Sequence, residues 1–118
     1  MARVDKILDD LGPSAWSDVG PNAKEEFANK LFASLTPGEQ SLVLLMRALI
    51  NEPKFLILDE AFSGMDERMV DVATRYLREK VGEEQSVVWV SHWEGEVPWG
   101  GLDRVRRFVL EKGEGREV

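Results

Sequence analysis

The residues best placed to do chemistry fall in three short blocks. Leu35-Thr36-Pro37-Gly38-Glu39-Gln40 sets a hydroxyl and a glycine at what reads as the start of a helix. A helix start leaves N–H groups unpaired, and these, with the helix dipole, welcome an anion. Phe55-Leu56-Ile57-Leu58-Asp59-Glu60 is an apolar run that delivers two adjacent carboxylates to a loop. Val87-Val88-Trp89-Val90-Ser91-His92 is a second apolar run, and it ends at the lone histidine. One histidine and no cysteine exclude a multi-histidine zinc site, a thiolate metal site and a disulfide framework. Taken singly, each block also has a plain structural explanation: a capped core helix, a strand ending in an acidic loop, a satisfied histidine. The 118 residues contain no G-x-x-x-x-G-K-S/T, the loop that would hold a nucleotide's phosphates.

The elements that must position these blocks can be read from periodicity and turn chemistry. Val4, Ile7, Leu8 and Leu11 follow helical spacing, and Gly12-Pro13 stops that helix. Ser14 to Pro21 is turn-rich, with Trp16 and Val19 as anchors. Asn22 caps a second helix, Glu25 stands where a capping box wants it, and Phe27, Ala28, Leu31 and Phe32 form its buried face. Thr36 suits an N-cap, Pro37 the first helical position, and Glu39 completes the box. The helix beyond, Leu42 to Ile50, is apolar almost all round apart from Arg47, which predicts burial on several sides, and Pro53 prevents its continuation.

Phe55 to Leu58 is a short unbroken apolar run, as expected of a strand buried on both faces of a parallel sheet, and Val87 to Val90 repeats it. Between them Ser63-Gly64-Met65-Asp66 forms a turn. Glu67 to Lys80 is an amphipathic helix with Met69, Val72, Ala73 and Tyr76 inward and Asp66 as its cap. Trp93 to Leu102 reads as a loop, Arg104 to Leu110 as a final strand, and Lys112 to Gly115 as a turn. Strand, helix, strand at this spacing is a βαβ unit, so the fold class is α/β. Trp89, Trp93 and Trp99 read as packing residues.

Composition bounds the rest. A hydrophobic share of 43% with 31% charged residues is that of a globular domain rather than a disordered chain. A net charge of −7 argues against a general binder of nucleic-acid backbone, which needs basic patches. No apolar run approaches the roughly eighteen residues of a membrane span. Met1-Ala2-Arg3-Val4-Asp5 turns acidic at once and lacks a signal-peptide core, so the sequence reads as intracellular, with cytoplasm and mitochondrion left open.

Taken together and in order, the blocks resemble the ATP-binding cassette (ABC) ATPases from Leu35 to about Glu111. Leu35-Thr36-Pro37-Gly38-Glu39 stands where that family has L-S-G-G-Q, Arg47-Ala48-Leu49 matches its R-A-L, and Leu58-Asp59-Glu60 the end of Walker B. Ser63-Gly64-Met65-Asp66 matches the D-loop, and His92 the switch histidine. The wording Glu39-Gln40-Ser41-Leu42 and the stretch His92 to Pro98 look most like soluble tandem ABC ATPases of the molybdate-associated type. The resemblance implies ATP and Mg²⁺ as ligands. Thr36, Gly38 and Glu39 would face the γ-phosphate bound by a partner cassette, with Ser63 and Asp66 at the dimer seam. Asp59 would help hold Mg²⁺ through its water shell, Glu60 would polarise the attacking water, and His92 would sense the γ-phosphate. Two departures from the family pattern stand out: Pro37 removes one N–H, and Glu39 puts a carboxylate where glutamine is usual.

The same resemblance implies a partial P-loop NTPase. Residues 1–34 would be the end of the helical subdomain, and 35–118 the C-terminal half of the ATPase core, a parallel βαβ unit lacking the Walker A strand. Such a chain would need a second ABC cassette or a Walker A-containing half, has no membrane segment of its own, and would be inactive or very weak alone. Two other readings stay open. One is the C-terminal half of a chromosome-maintenance-type ATPase, whose signature often carries glutamate at the position of Glu39. The other is a catalytically inactive interaction module or truncated gene product.

Overall fold

The computed structural model describes residues 2–18, 20, 22–82, 84–92, 96–99, 105–106, 108–111 and 113–117. Helices come first: α1 (Ala2–Leu11), α2 (Pro13–Trp16), α3 (Ala23–Asn29), a single 3-10 turn (Phe32–Ser34) and α4 (Pro37–Leu49). Strand β1 (Phe55–Asp59), helix α5 (Glu67–Lys80) and strand β2 (Ser86–Val90) follow, and β3 (Phe108–Glu111) and β4 (Glu114–Glu117) close the chain.

β1 and β2 pair in parallel, Phe55 opposite Ser86 through Asp59 opposite Val90, with α5 as the crossover between them. This is the βαβ unit that the spacing predicts. α4 begins and α5 begins as their caps dictate. Thr36 Oγ1 accepts from the Glu39 N–H while the Glu39 carboxylate accepts from the Thr36 N–H, a complete capping box. The Asp66 carboxylate accepts from the Met69 N–H at 2.9 Å. Gln85 ties the strand starts together, donating to the Pro53 carbonyl and accepting from the Gly82 N–H.

One core serves all the helices and one face of the sheet. Leu56 and Leu58 of β1 pack with Leu42, Leu45, Met46 and Leu49 of α4 and with Met69, Ala73 and Leu77 of α5. Ile7, Leu8 and Leu11 of α1, Phe27 of α3, Leu35 and Phe62 complete the cluster. Each such side chain contributes on the order of 1.5–3 kcal/mol by leaving water. Trp16 donates its indole N–H to the Leu11 carbonyl and meets Phe27 edge-on, which fastens α2 and α3 to α1.

The other face of the sheet is uncovered. Phe55 and Ile57 are 60% and 64% exposed, and Val88 and Val90 are each 44% exposed. The expectation of strands buried on both faces is therefore corrected: the run is unbroken in apolar character, but among the described residues nothing packs against its outer side. α4 likewise leaves Leu44 exposed, so its burial is one-sided.

Other expectations also change. Pro13, which stops α1, also starts α2 from its first-turn position, so the stretch after Gly12 is partly helical rather than all turn. Asn22 precedes α3 but makes no side-chain cap, and Asn29 instead takes the Glu25 carbonyl. α3 ends at Asn29 with Lys30 extended, so the helical phase that would bury Leu31 and Phe32 is lost, and Ala28, Leu31 and Phe32 are exposed. The strand read as the final one, β3, starts at Phe108 and is followed by β4, with which it pairs antiparallel in a hairpin about Gly113 (φ +81) that has no counterpart in the apolar patterning. Val19, Trp93, Arg104 and Lys112 lie outside the described residues.

Candidate functional site

The carboxylates and the histidine meet at the C-terminal ends of the two parallel strands. Asp59 closes β1 opposite Val90, and its side chain is exposed. Glu60 follows with its N–H donating to the Val90 carbonyl at 2.9 Å, so its backbone is anchored two residues before His92. Glu60 Oε1 lies 3.4 Å from His92 Nε2. That oxygen is shielded from solvent and makes no hydrogen bond, so the two groups approach closely without forming one. The imidazole itself is 88% exposed. The Glu60 side chain as a whole is 40% exposed, so a carboxylate and a reachable imidazole, two group types used for proton transfer, stand side by side at the strand ends.

Glu60 has φ +50, the left-handed region that non-glycine residues seldom occupy. Such a conformation costs about 1–3 kcal/mol and persists only where neighbours over-determine it. Here they do. The Glu60 carbonyl accepts from Ser63 N–H at 3.1 Å, the Phe62 carbonyl accepts from Met65 N–H at 3.1 Å, and Phe62 is buried edge-on against Trp89 at 4.9 Å. Trp89 in turn meets Trp99 at 6.0 Å, so both tryptophans pack as expected.

The loop 60–66 is held against the start of α4. A Cβ on Gly38 would lie 2.6 Å from the Gly64 carbonyl oxygen, and a Cβ on Gly64 would lie 2.9 Å from Pro37 Cβ. Gly64 sits at φ +76, so glycine is required there twice over. Ser41 Oγ donates to the Ser63 carbonyl at 2.6 Å. Ser63 and Asp66 are thus both placed by this packing, Ser63 exposed beside α4 and Asp66 as the cap of α5.

Of the signature-like residues, Thr36 is exposed and Gly38 is buried against Gly64. Glu39 spends its carboxylate on the cap. Pro37 has no N–H and the cap uses that of Glu39, which leaves the Gly38 N–H as the first-turn donor the cap does not use. The structure therefore gathers Glu60 with His92, gathers Gly38 with Ser63 and Gly64, and joins the two groups through one loop. It also gives contacts to residues that enter the sequence patterns only as part of a motif's wording. Ser41 lies one turn after Pro37 on the face towards the loop. Gln40 Nε2 donates to the Phe32 carbonyl at 3.0 Å, and Ser91 Oγ donates to Glu96 at 2.8 Å.

Among the described residues no three Asp, Glu, His or Cys side chains gather to hold a metal. Asp59 offers one exposed carboxylate, which fits Mg²⁺ only as an ion carried mainly by water and phosphate oxygens. No described helix is long and apolar enough to cross a membrane.

Residues 2–63 match the family model described as ABC transporter. The chain is 36% identical over 74 residues to an uncharacterized ABC transporter ATP-binding protein of Schizosaccharomyces pombe, covering 63% of this chain and 15% of that protein. It is 36% identical over 97 residues to the ABC transporter ATP-binding protein ModF of Escherichia coli, covering 72% of this chain and 19% of ModF. It is 37% identical over 91 residues to the sulfate/thiosulfate import ATP-binding protein CysA of Bacillus cereus, covering 76% and 24%. The chain thus spans less than a quarter of the length of these relatives.

Proposed function

This chain belongs to the ABC transporter family, and from that premise we propose that it is the part of an ATP-binding cassette that carries the signature turn and the catalytic carboxylates. The triphosphate cradle comes from a region outside these 118 residues, either another chain or another part of the same protein. Residues 1–34 are the end of the helical subdomain and 35–118 the C-terminal half of the ATPase core, two functional parts that share one hydrophobic core. The uncovered apolar face of β1 and β2 supports a further layer packed on the sheet, and the edge of β2, unpaired among the described residues, supports its pairing with the Walker A strand.

The observation that carries the reading is the convergence of Glu60 and His92 at the ends of adjacent parallel strands. Glu60 accepts a proton from the attacking water, and His92 stays within reach of that carboxylate to steady the arrangement. Asp59 orients the water shell of Mg²⁺. Thr36 and the Gly38 amide face a phosphate held by a second cassette, where the helix start favours negative charge. Glu39 sets the cap geometry that presents them. Bound Mg-ATP supplies the phosphoanhydride bond and the cation that spreads its charge. ModF is named an ABC transporter ATP-binding protein and CysA an import ATP-binding protein, which supports this reading over a chromosome-maintenance ATPase.

The test is to titrate Mg-ATP into this chain alone and into a mixture with a separately produced polypeptide bearing a P-loop and its strand. Alone, binding weaker than micromolar and no turnover are expected. In the mixture, turnover appears, and Glu60→Gln lowers it by a factor on the order of 10²–10⁴. Micromolar affinity or ordinary turnover by the unaided monomer overturns the proposal.

A further inference from the structure

We propose that Ser41 is a positioning residue that links the anion-facing start of α4 to the backbone of Glu60. The inference rests on the half-site reading above and adds to it a residue outside the signature turn, Walker B, D-loop and switch histidine.

The link is a short series of hydrogen bonds. Ser41 Oγ donates to the Ser63 carbonyl at 2.6 Å, and the Ser63 N–H donates to the Glu60 carbonyl at 3.1 Å. The Glu60 N–H then donates to Val90 at 2.9 Å. From a helix side chain, two hydrogen bonds therefore reach the residue whose backbone lies at φ +50, and a third pins that residue to β2. Beside this series the Gly38 and Gly64 backbones touch with no room for a methyl group. Polar and steric contacts thus register the same two segments against each other. Of the two, only the Ser41 hydroxyl can be removed without adding atoms.

A strained backbone needs surrounding contacts to fix it, and a general base misplaced by a fraction of an ångström loses much of its effect. Without the Ser41 hydroxyl, the Ser63 carbonyl loses its donor, and the loop is held on α4 by the glycine contact and by the burial of Phe62 in the shared core. Glu60 then samples geometries in which its carboxylate misses the water. Occupancy at the start of α4 and the orientation of Glu60 are coupled through this residue, and such coupling is reciprocal.

The experiment compares Ser41→Ala, Ser41→Thr, Glu60→Gln and Ser41→Ala/Glu60→Gln in the complex reconstituted with a P-loop-bearing polypeptide. Ser41→Ala is expected to lower kcat about tenfold with the KM for Mg-ATP within about twofold, and Ser41→Thr, which keeps the hydroxyl, to restore most of it. The double variant should turn over no more slowly than Glu60→Gln alone, because a residue acting through Glu60 has nothing left to position. In the isolated chain, Ser41→Ala should speed amide hydrogen exchange across residues 60–66 while leaving α5 unchanged. Additive losses, a changed KM at unchanged kcat, or unaltered exchange in the loop overturns the proposal. If Glu60→Gln leaves turnover intact, the half-site reading fails and takes this inference with it. If Glu60→Gln abolishes turnover and Ser41→Ala does not lower it, only the inference fails.

Discussion

Leu58 and Ile57 are neighbours in β1, yet Leu58 is 5% exposed and Ile57 64% exposed. The inner side of the sheet meets α4, α5 and α1, and its surroundings are close to saturated. Caps are paired, the loop 60–66 is fastened, and glycines meet where nothing larger fits. The outer side presents Phe55, Ile57, Val88 and Val90 to water. Both sides are written in the same apolar residues, and among the described residues only the inner side has partners. An exposed apolar face of this kind is a candidate contact surface, whereas the inner corner is finished locally.

Substitutions on the two sides tell them apart. Leu58→Ala should cost about 2–4 kcal/mol in denaturant unfolding, while Ile57→Ala should stay within about 0.5 kcal/mol. Equal losses at the two positions would mean that the outer face is covered in solution. Gly38→Ala should cost about 1–3 kcal/mol, since its methyl meets backbone that no rotamer change can move aside. Thr36→Ala should cost about 1 kcal/mol through the lost cap, detectable as a lower midpoint at an unchanged m-value. Ile57→Lys should shift stability by less than about 0.5 kcal/mol. It should also reduce self-association in sedimentation and block rescue by a P-loop-bearing polypeptide.

The smallest expected effect is in alkali. Burial, with Asp10 and Glu52 adding to it, raises the Tyr76 pKa. A raised folded value means the tyrosine's contribution is fully present below the ordinary pKa of about 10 and is lost as pH rises through the folded one. Tyr76→Phe should flatten the high-pH end of the stability profile and leave neutral pH unchanged.

The same contrast governs how much could be read in advance. α5 runs from Glu67 to Lys80 as read, because Asp66 caps it and its apolar period is unbroken. α4 starts at Pro37 because the box is local chemistry between Thr36 and Glu39. Both signals have their partners within a turn of the chain. The burial of Phe55 and Ile57 could not be read that way, since periodicity reports what a strand would bury and not whether anything covers it. Leu31 and Phe32 misled for a similar reason: the helical phase assumed for them stops at Asn29. In the site, the family pattern pointed to Glu60 and His92, which the fold does bring together. Ser41 was legible only as part of the wording Glu39 to Leu42, and its contact was not, because its partner is a carbonyl on a loop that only the tertiary fold brings near.

The contact between Gly38 and Gly64 has a mechanical consequence. A joint made of two bare backbones has no rotamers through which to slip by degrees, and no side-chain exchange can loosen it a little. The turn that opens α4 and the loop that carries Glu60 therefore shift together wherever that contact holds.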